Sequence, residues 1–377
     1  MGAQAIHHDH KGAVHAMRTP VDYARAACDT MMRRFAAADL PPKGHFHYHQ
    51  GVFLSGVLKT WKLTGDARYF QYAKDWLDAV IDADGRILRY DHADLDDIQP
   101  GILLYPVLDA TGEARYEKAI QSVYAQVPDV PLCKCGGFYH KVRLTGQMWL
   151  DGLYMVGPFL AEYGRRYDRA DLRQTVINHV LLMREHTRDE KTGLWFHAWD
   201  ETHTADWCDP ATGLAPEFWG RSLGWVPVAV LDDLEQLSCT DEGYDKLKAI
   251  VPELLEAICR YQGPDGRWYQ VVNKPDDPAN WPENSCTCLF AAALARAVCL
   301  GLLPKEYAAK AHAAYDGVVR TLTWEGGDLQ IGGVCVGTGV GSYEFYCGRP
   351  CSVNDLHGVG AFLLMCTAMQ QLEDAGL

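Results

Sequence analysis

Apolar helix openings recur along this chain at Gly51, Gly101, Gly152, Gly224, Thr287 and Gly358, roughly 50 to 70 residues apart. A period of that size corresponds to one helical hairpin per unit, and such units bury their apolar faces only by stacking on one another. Apolar spacing of three and four runs through Asp22–Ala37, Gly51–Leu63, Ala67–Ala83, Gly101–Asp109, Tyr116–Val127 and Leu153–Tyr163. It continues through Leu172–His186, Gly224–Leu237, Tyr244–Tyr261, Thr287–Leu300, Lys305–Leu322 and Gly358–Leu372. Each opening helix is more apolar than its follower: Leu54–Leu58 contrasts with Tyr69–Asp78, and Phe290–Val298 with Lys305–Arg320. That is the pattern of a buried inner ring and a half-exposed outer ring. Six openings predict an all-α fold, an (α/α)6 barrel of six helical hairpins, one of them completed by helices from the two ends of the chain. Residues 1–20 read as a mobile polar arm and 21–377 as a single barrel domain, with extra strands or turns at 136–140, 193–197, 266–269 and 332–349.

The net charge of −14 repels phosphate backbones, which argues against a nucleic-acid partner. No apolar run reaches the roughly 18–20 residues of a membrane span. The 13 cysteines are odd in number, and several, such as Cys299 and Cys366, lie in apolar runs. They read as reduced thiols, so the expected location is cytoplasmic. Oligomeric state is left open.

Inner helices that run the same way place their N-termini at one mouth. The residues there are His47-Tyr48-His49-Gln50, Asp96-Asp97-Ile98-Gln99, Gln147-Met148-Trp149-Leu150-Asp151, Phe218-Trp219-Gly220-Arg221, Glu283-Asn284-Ser285 and Asn354-Asp355-Leu356-His357. Any one of Asp97, Asp151, Ser285 and Asp355 is explained equally well as a helix cap. Together with Trp, Arg and His they describe a cleft for sugar chemistry: carboxylates to move protons, a guanidinium fork for a uronate, and rings for pyranose faces.

The motifs Gly137-Phe138-Tyr139-His140-Lys141, Gln147-Met148-Trp149-Leu150-Asp151-Gly152-Leu153-Tyr154-Met155, Phe196-His197-Ala198-Trp199-Asp200-Glu201, Phe218-Trp219-Gly220-Arg221-Ser222-Leu223-Gly224-Trp225 and Asn354-Asp355-Leu356-His357-Gly358 occur in this order. In that set the chain resembles glycoside hydrolase family 105, the unsaturated rhamnogalacturonyl hydrolases. The resemblance implies an (α/α)6 barrel, no cofactor, and an anionic unsaturated oligosaccharide as substrate. A 4,5-unsaturated galacturonyl group would be removed from its nonreducing end after hydration of the C4=C5 bond. It also implies that Asp151 is the general acid/base and that Asp96, or its neighbour Asp97, is the second carboxylate. Tyr48, His140, His197, Trp219, Arg221 and Trp225 would contact substrate, Met155 would pack the pocket, and Lys141 would reach the neighbouring sugar. Arg221 is the expected partner of the substrate carboxylate. Family 88, which acts on unsaturated glucuronyl groups, is the alternative, and a sugar isomerase or a non-catalytic saccharide-binding barrel is the reading from a different class.

An acid at Asp151 must hold a proton near neutral pH, whereas an ordinary Asp titrates near 3.9. Burial among Trp149, Trp219 and Trp225 beside a second carboxylate predicts a raised value. Cys133-Lys134-Cys135 and Cys286-Thr287-Cys288 have one intervening residue, not the two to four usual for structural zinc, and no metal is expected. His45, His47 and His49 alternate as if along one strand face at the cleft rim.

Overall fold

Pro20 opens the first helix, with Thr19 closing a capping box on Asp22. The computed structural model describes residues 18–89 and 94–377. Most of the expected arm, residues 1–17, lies outside the described residues. Its last three are not an arm, since Thr19 caps a helix and Arg18 lies 3.8 Å over the Trp324 ring.

The helices are α1 (Pro20–Arg34), α2 (Tyr48–Thr64), α3 (Ala67–Val80), α4 (Leu95–Ile98), α5 (Leu104–Thr111), α6 (Ala114–Tyr124) and α7 (Asp151–Arg166). They continue with α8 (Ala170–Thr187), α9 (Gly220–Leu234), α10 (Tyr244–Cys259), α11 (Asn284–Cys299), α12 (Ala308–Val319), α13 (Tyr343–Cys347) and α14 (Leu356–Asp374). Six inner elements, α2, α4–α5, α7, α9, α11 and α14, pack side by side, and α14 returns to α2 to close the ring. Outside them lie α3, α6, α8, α10 and α12, with α1 against α14 and α2. This is the expected (α/α)6 barrel. Its apolarity follows from the closure. Helices α11 and α14 are buried along nearly their whole length, while α3 buries only the stripe Tyr69, Tyr72, Ala73, Trp76, Leu77 and Val80.

Two departures from the sequence pattern matter for the site. The second inner element is a short α4, a 3-10 turn over Gln99–Leu103 and then α5, not one helix from Gly101. Pro100 lacks the N–H for an α-helical bond and crowds the preceding turn. Helices α7, α9, α11 and α14 also begin two to four residues earlier than their apolar spacing suggests, so Asp151, Arg221, Ser285 and His357 lie in first turns, not before them.

Three two-stranded antiparallel ribbons sit in the connections: β1 (Gln147–Trp149) with β2 (Ala198–Asp200), β3 (Thr323–Glu325) with β4 (Asp328–Gln330), and β5 (Val334–Cys335) with β6 (Cys351–Ser352). In the first, Trp149 pairs with Ala198, which delivers Asp151 and His197 to the same place. Among the described residues no helix is long and apolar enough to cross a membrane.

Candidate active site

The inner helices begin at one end of the barrel. Tyr48, in the first turn of α2, lies within the fields of Asp96 of α4, Asp151 of α7, Arg221 of α9 and Asp355 before α14. With Ser285, whose hydroxyl accepts from Arg221 at 3.3 Å, the six predicted mouth segments converge.

Asp151 is the first residue of α7 and only 9% exposed. Its Oδ2 lies 3.0 Å from His197 Nε2, and His197 Nδ1 is 2.7 Å from the Tyr346 hydroxyl. The two ring nitrogens of His197 are thus held between the Asp151 carboxylate and the Tyr346 hydroxyl. The expectation of a raised Asp151 value is wrong in sign. Burial does push it up, but the His197 hydrogen bond and the positive fields of His197, His140 and Arg221 outweigh burial and hold it below the ordinary value. Asp96 does not supply the like charge expected beside it, because its own charge is neutralised elsewhere.

Asp96 is 5% exposed and meets Lys141 Nζ, His140 Nε2 at 3.5 Å and His47 Nε2 at 3.8 Å. Burial pushes it up, but His140, Lys141 and His47 together bring it down to about 2. Of the adjacent pair it is thus Asp96 that faces this cationic cluster. Lys141, expected on the next sugar, donates to Asp96. His140 stacks on Trp149 with ring centroids 4.4 Å apart.

Arg221 lies in the first turn of α9. Its guanidinium is anchored on the backbone carbonyls of Cys335 (2.6 Å) and Val336 (2.8 Å) and on Ser285 Oγ (3.3 Å), and it lies 4.6 Å over Trp219. Trp219 and Trp225 are each 1% exposed, so neither offers a free face to a pyranose. Trp219 Nε1 donates to Gln270 and its ring stacks on Tyr346, while Trp225 stacks on Tyr154. Tyr48 is a half-buried ring at the mouth, and Trp149 is buried at 9% exposure. Met155 lies deeper. It lines a cavity of about 140 Å³ with Ser55, Gln99, Tyr154 and Asp232, toward the opposite end of the barrel.

His47 and His49 do not alternate along a strand. His47 is the N-cap of α2, His49 lies in its first turn, and their rings are 5.0 Å apart. Among the described residues two groupings have donor atoms within 4.8 Å of one another and could hold a cation: His49 with Asp355 and His357 at the mouth, and Cys133 with Cys135 and Glu201 on a connection. In the first, His357 already meets Asp355 at 2.7 Å and the Cys335 carbonyl at 2.9 Å. In the second, Glu201 already accepts the Lys134 N–H at 2.6 Å. Cys286 and Cys288 are buried in α11 and belong to neither. Glu283 caps α11 and accepts from Ser285, Cys286 and Cys335, a structural role.

Tyr346 and His179 are missed by sequence reasoning. Tyr346 lies in α13, within the Gly-rich 332–349 segment expected to carry extra strands or turns. His179 lies in outer helix α8 inside an ordinary apolar stripe and carries no sequence signal.

A helical barrel whose mouth gathers two buried carboxylates, their histidines and an anchored arginine is a carbohydrate-processing hydrolase scaffold. The sequence profile of Glycosyl Hydrolase Family 88 matches residues 23–373, and the chain belongs to this family. The family 105 resemblance holds as well. A glycoside hydrolase of family 105 from C. acetobutylicum ATCC 824 superposes with a TM-score of 0.88 at 28% identity, covering 93% of this chain and 99% of that one. The unsaturated rhamnogalacturonyl hydrolase YesR of Bacillus subtilis (strain 168) is 25% identical over 296 residues, 77% of this chain and 79% of that protein. An unsaturated glucuronyl hydrolase from Bacillus sp. GL1 shares the fold, with a TM-score of 0.69 at 15% identity over 95% of this chain and 97% of that one.

Proposed function

We propose that this hydrolase removes a 4,5-unsaturated galacturonyl residue from the nonreducing end of rhamnogalacturonan fragments, with Asp151 as acid and base. The observation that carries the reading is the buried Asp151 carboxylate, held by His197 at the shared mouth and separated in role from an ion-paired Asp96. The likeness to YesR supports the galacturonyl choice.

In the resting site Asp151 is an anion. The arriving uronate brings a second negative charge and displaces water, and both effects raise the Asp151 value, so it takes up a proton as substrate binds. That proton goes to C4 of the C4=C5 bond. Water adds at C5 and returns its proton to the same carboxylate. The C5 hemiketal opens, the C5 oxygen becomes a ketone, and the C1 hemiacetal so formed expels the remaining saccharide. His197 holds the Asp151 carboxylate in place through the cycle. Arg221 supplies positive potential from below the cleft, and Tyr48 provides an open ring beside the sugar. The thirteen unpaired cysteines suit a reducing, cytoplasmic setting in which imported oligosaccharides are the substrate.

Reaction in heavy water tests the scheme: deuterium is expected on C4 of the released sugar, and its absence with turnover intact overturns hydration. Comparing unsaturated rhamnogalacturonan and chondroitin disaccharides by loss of the conjugated ultraviolet band tests the substrate, and preference for chondroitin overturns the galacturonyl assignment.

A further inference from the structure

Two imidazole nitrogens in the wall behind the mouth, His140 Nδ1 and His179 Nε2, are buried with no protein partner. Their residues are 3% and 4% exposed. Both nitrogens lie against the same flank of Gly152: a Cβ there would sit 3.7 Å from His140 Nδ1 and 3.8 Å from His179 Nε2. A Cβ there would also meet Leu95 Cδ1 at 3.0 Å, so only the absence of a side chain leaves room beside the two nitrogens.

Their protons are fixed from the outside. The Phe138 N–H donates to His179 Nδ1 at 3.4 Å, so Nδ1 is an acceptor and a neutral His179 carries its proton on Nε2. Burial pushes His179 down to about 4, which keeps it neutral across the working range. On the other ring, His140 Nε2 faces the Asp96 carboxylate at 3.5 Å. An ionised carboxylate only accepts, so Nε2 is the protonated nitrogen of His140 and Nδ1 is left as an acceptor. A donor on His179 and an acceptor on His140 thus face one space, and leaving both unpaired would be costly.

We infer that His179 is a positioning residue that donates from Nε2 to His140 Nδ1 through one bridging water beside Gly152, and so fixes the tautomer and ring plane that His140 presents to Asp96. The chain runs Phe138 N–H, His179, His140, Asp96, every donor pointing toward the carboxylate. Trp149 clamps the His140 ring from its face. No bond is made or broken in this chain. It holds His140 neutral and Asp96 anionic, so that the proton used in turnover passes through Asp151 and not through its neighbour. This rests on the proposed reaction for its kinetic consequence but not for its existence.

The test pairs two variants of the full-length protein. His179→Leu keeps the bulk but removes acceptor and donor. His179→Gln restores both, because its amide oxygen can accept from Phe138 and its NH2 can donate to the bridging water. With an unsaturated galacturonyl disaccharide, His179→Leu is expected to lower kcat on the order of tenfold with KM little changed, and His179→Gln to recover most of it. A separate reading uses nitrogen-15 histidine spectra, with His140 assigned by its own variant. His140 is expected as the Nε2–H tautomer in the wild type and in His179→Gln, and as a mixture in His179→Leu. Wild-type spectra showing His140 protonated at Nδ1, or a His179→Leu protein with unchanged spectra, overturn the inference. Expected spectra in a protein that does not turn over unsaturated uronides overturn the proposed reaction and leave the relay standing.

Discussion

Lys141→Met should cost about 2 kcal/mol of stability at pH 7 and about half of that at pH 3. The size comes from Asp96, whose carboxyl falls from 3.8 to about 2 in the folded protein. That difference corresponds to about 2 kcal/mol for a group that is almost wholly buried. A depressed carboxylate stabilises the fold above its unfolded value of 3.8 and loses that contribution as pH drops through 2. Between those limits, at pH 3, roughly half remains. Without the lysine, the burial that pushes Asp96 upward is opposed only by His140 and His47. The advantage then largely disappears at neutral pH, while the protonated forms at low pH differ little. Urea unfolding of both proteins at pH 7 and pH 3, followed by tryptophan fluorescence, measures it. A stability difference equal at the two pH values would show that the substitution acts through packing alone and that Asp96 is not depressed by its lysine. No difference at pH 7 would refute the ion pair itself.

Asp151→Asn should abolish the decay of the ultraviolet band while leaving disaccharide affinity, by calorimetry, within severalfold of wild type; residual turnover comparable to wild type would remove Asp151 from the chemistry. His197→Leu takes away the hydrogen bond that opposes burial, so the Asp151 value rises; the acid limb of the kcat/KM profile should then move to higher pH, and an unmoved limb would dissociate that limb from Asp151. Gly360→Ala places a methyl 2.7 Å from the Val52 backbone, which cannot rotate away, so the α2–α14 contact must open at about 1–3 kcal/mol. An unchanged melting temperature in calorimetry would contradict that packing.

The ring of helices is readable in the sequence because burial leaves a mark on every residue of an inner helix. Phe290–Ala295 is apolar on all sides since α11 has neighbours on all sides, and no half-exposed surface helix looks like that. Helix starts are less legible, because Arg221 and Ser285 lie in first turns yet are polar, and a polar residue looks like the end of an apolar run. The gathering of Asp96, Asp151, His140 and His197 follows from one geometric fact, parallel inner helices. What each side chain does there does not follow. Arg221 is held by the carbonyls of Cys335 and Val336, and a carbonyl has no letter in a sequence. The sign of the Asp151 shift depends on a 3.0 Å contact with His197, reached only because β1 pairs with β2 in one register. Tyr346 and His179 act across separations that no local pattern records.

The closure of the ring through α2 and α14 also has a kinetic side. Tyr48 and His49 come from one of these helices and His357 from the other, roughly 300 residues away along the chain. Contacts of such separation form late, since the loop entropy must be met before they reward it. A refolding chain can therefore hold much of its helix while its mouth is still an open groove, lacking the wall that α14 contributes. Recovery of turnover should lag recovery of helical signal, and the lag would time the moment at which the barrel becomes a circle.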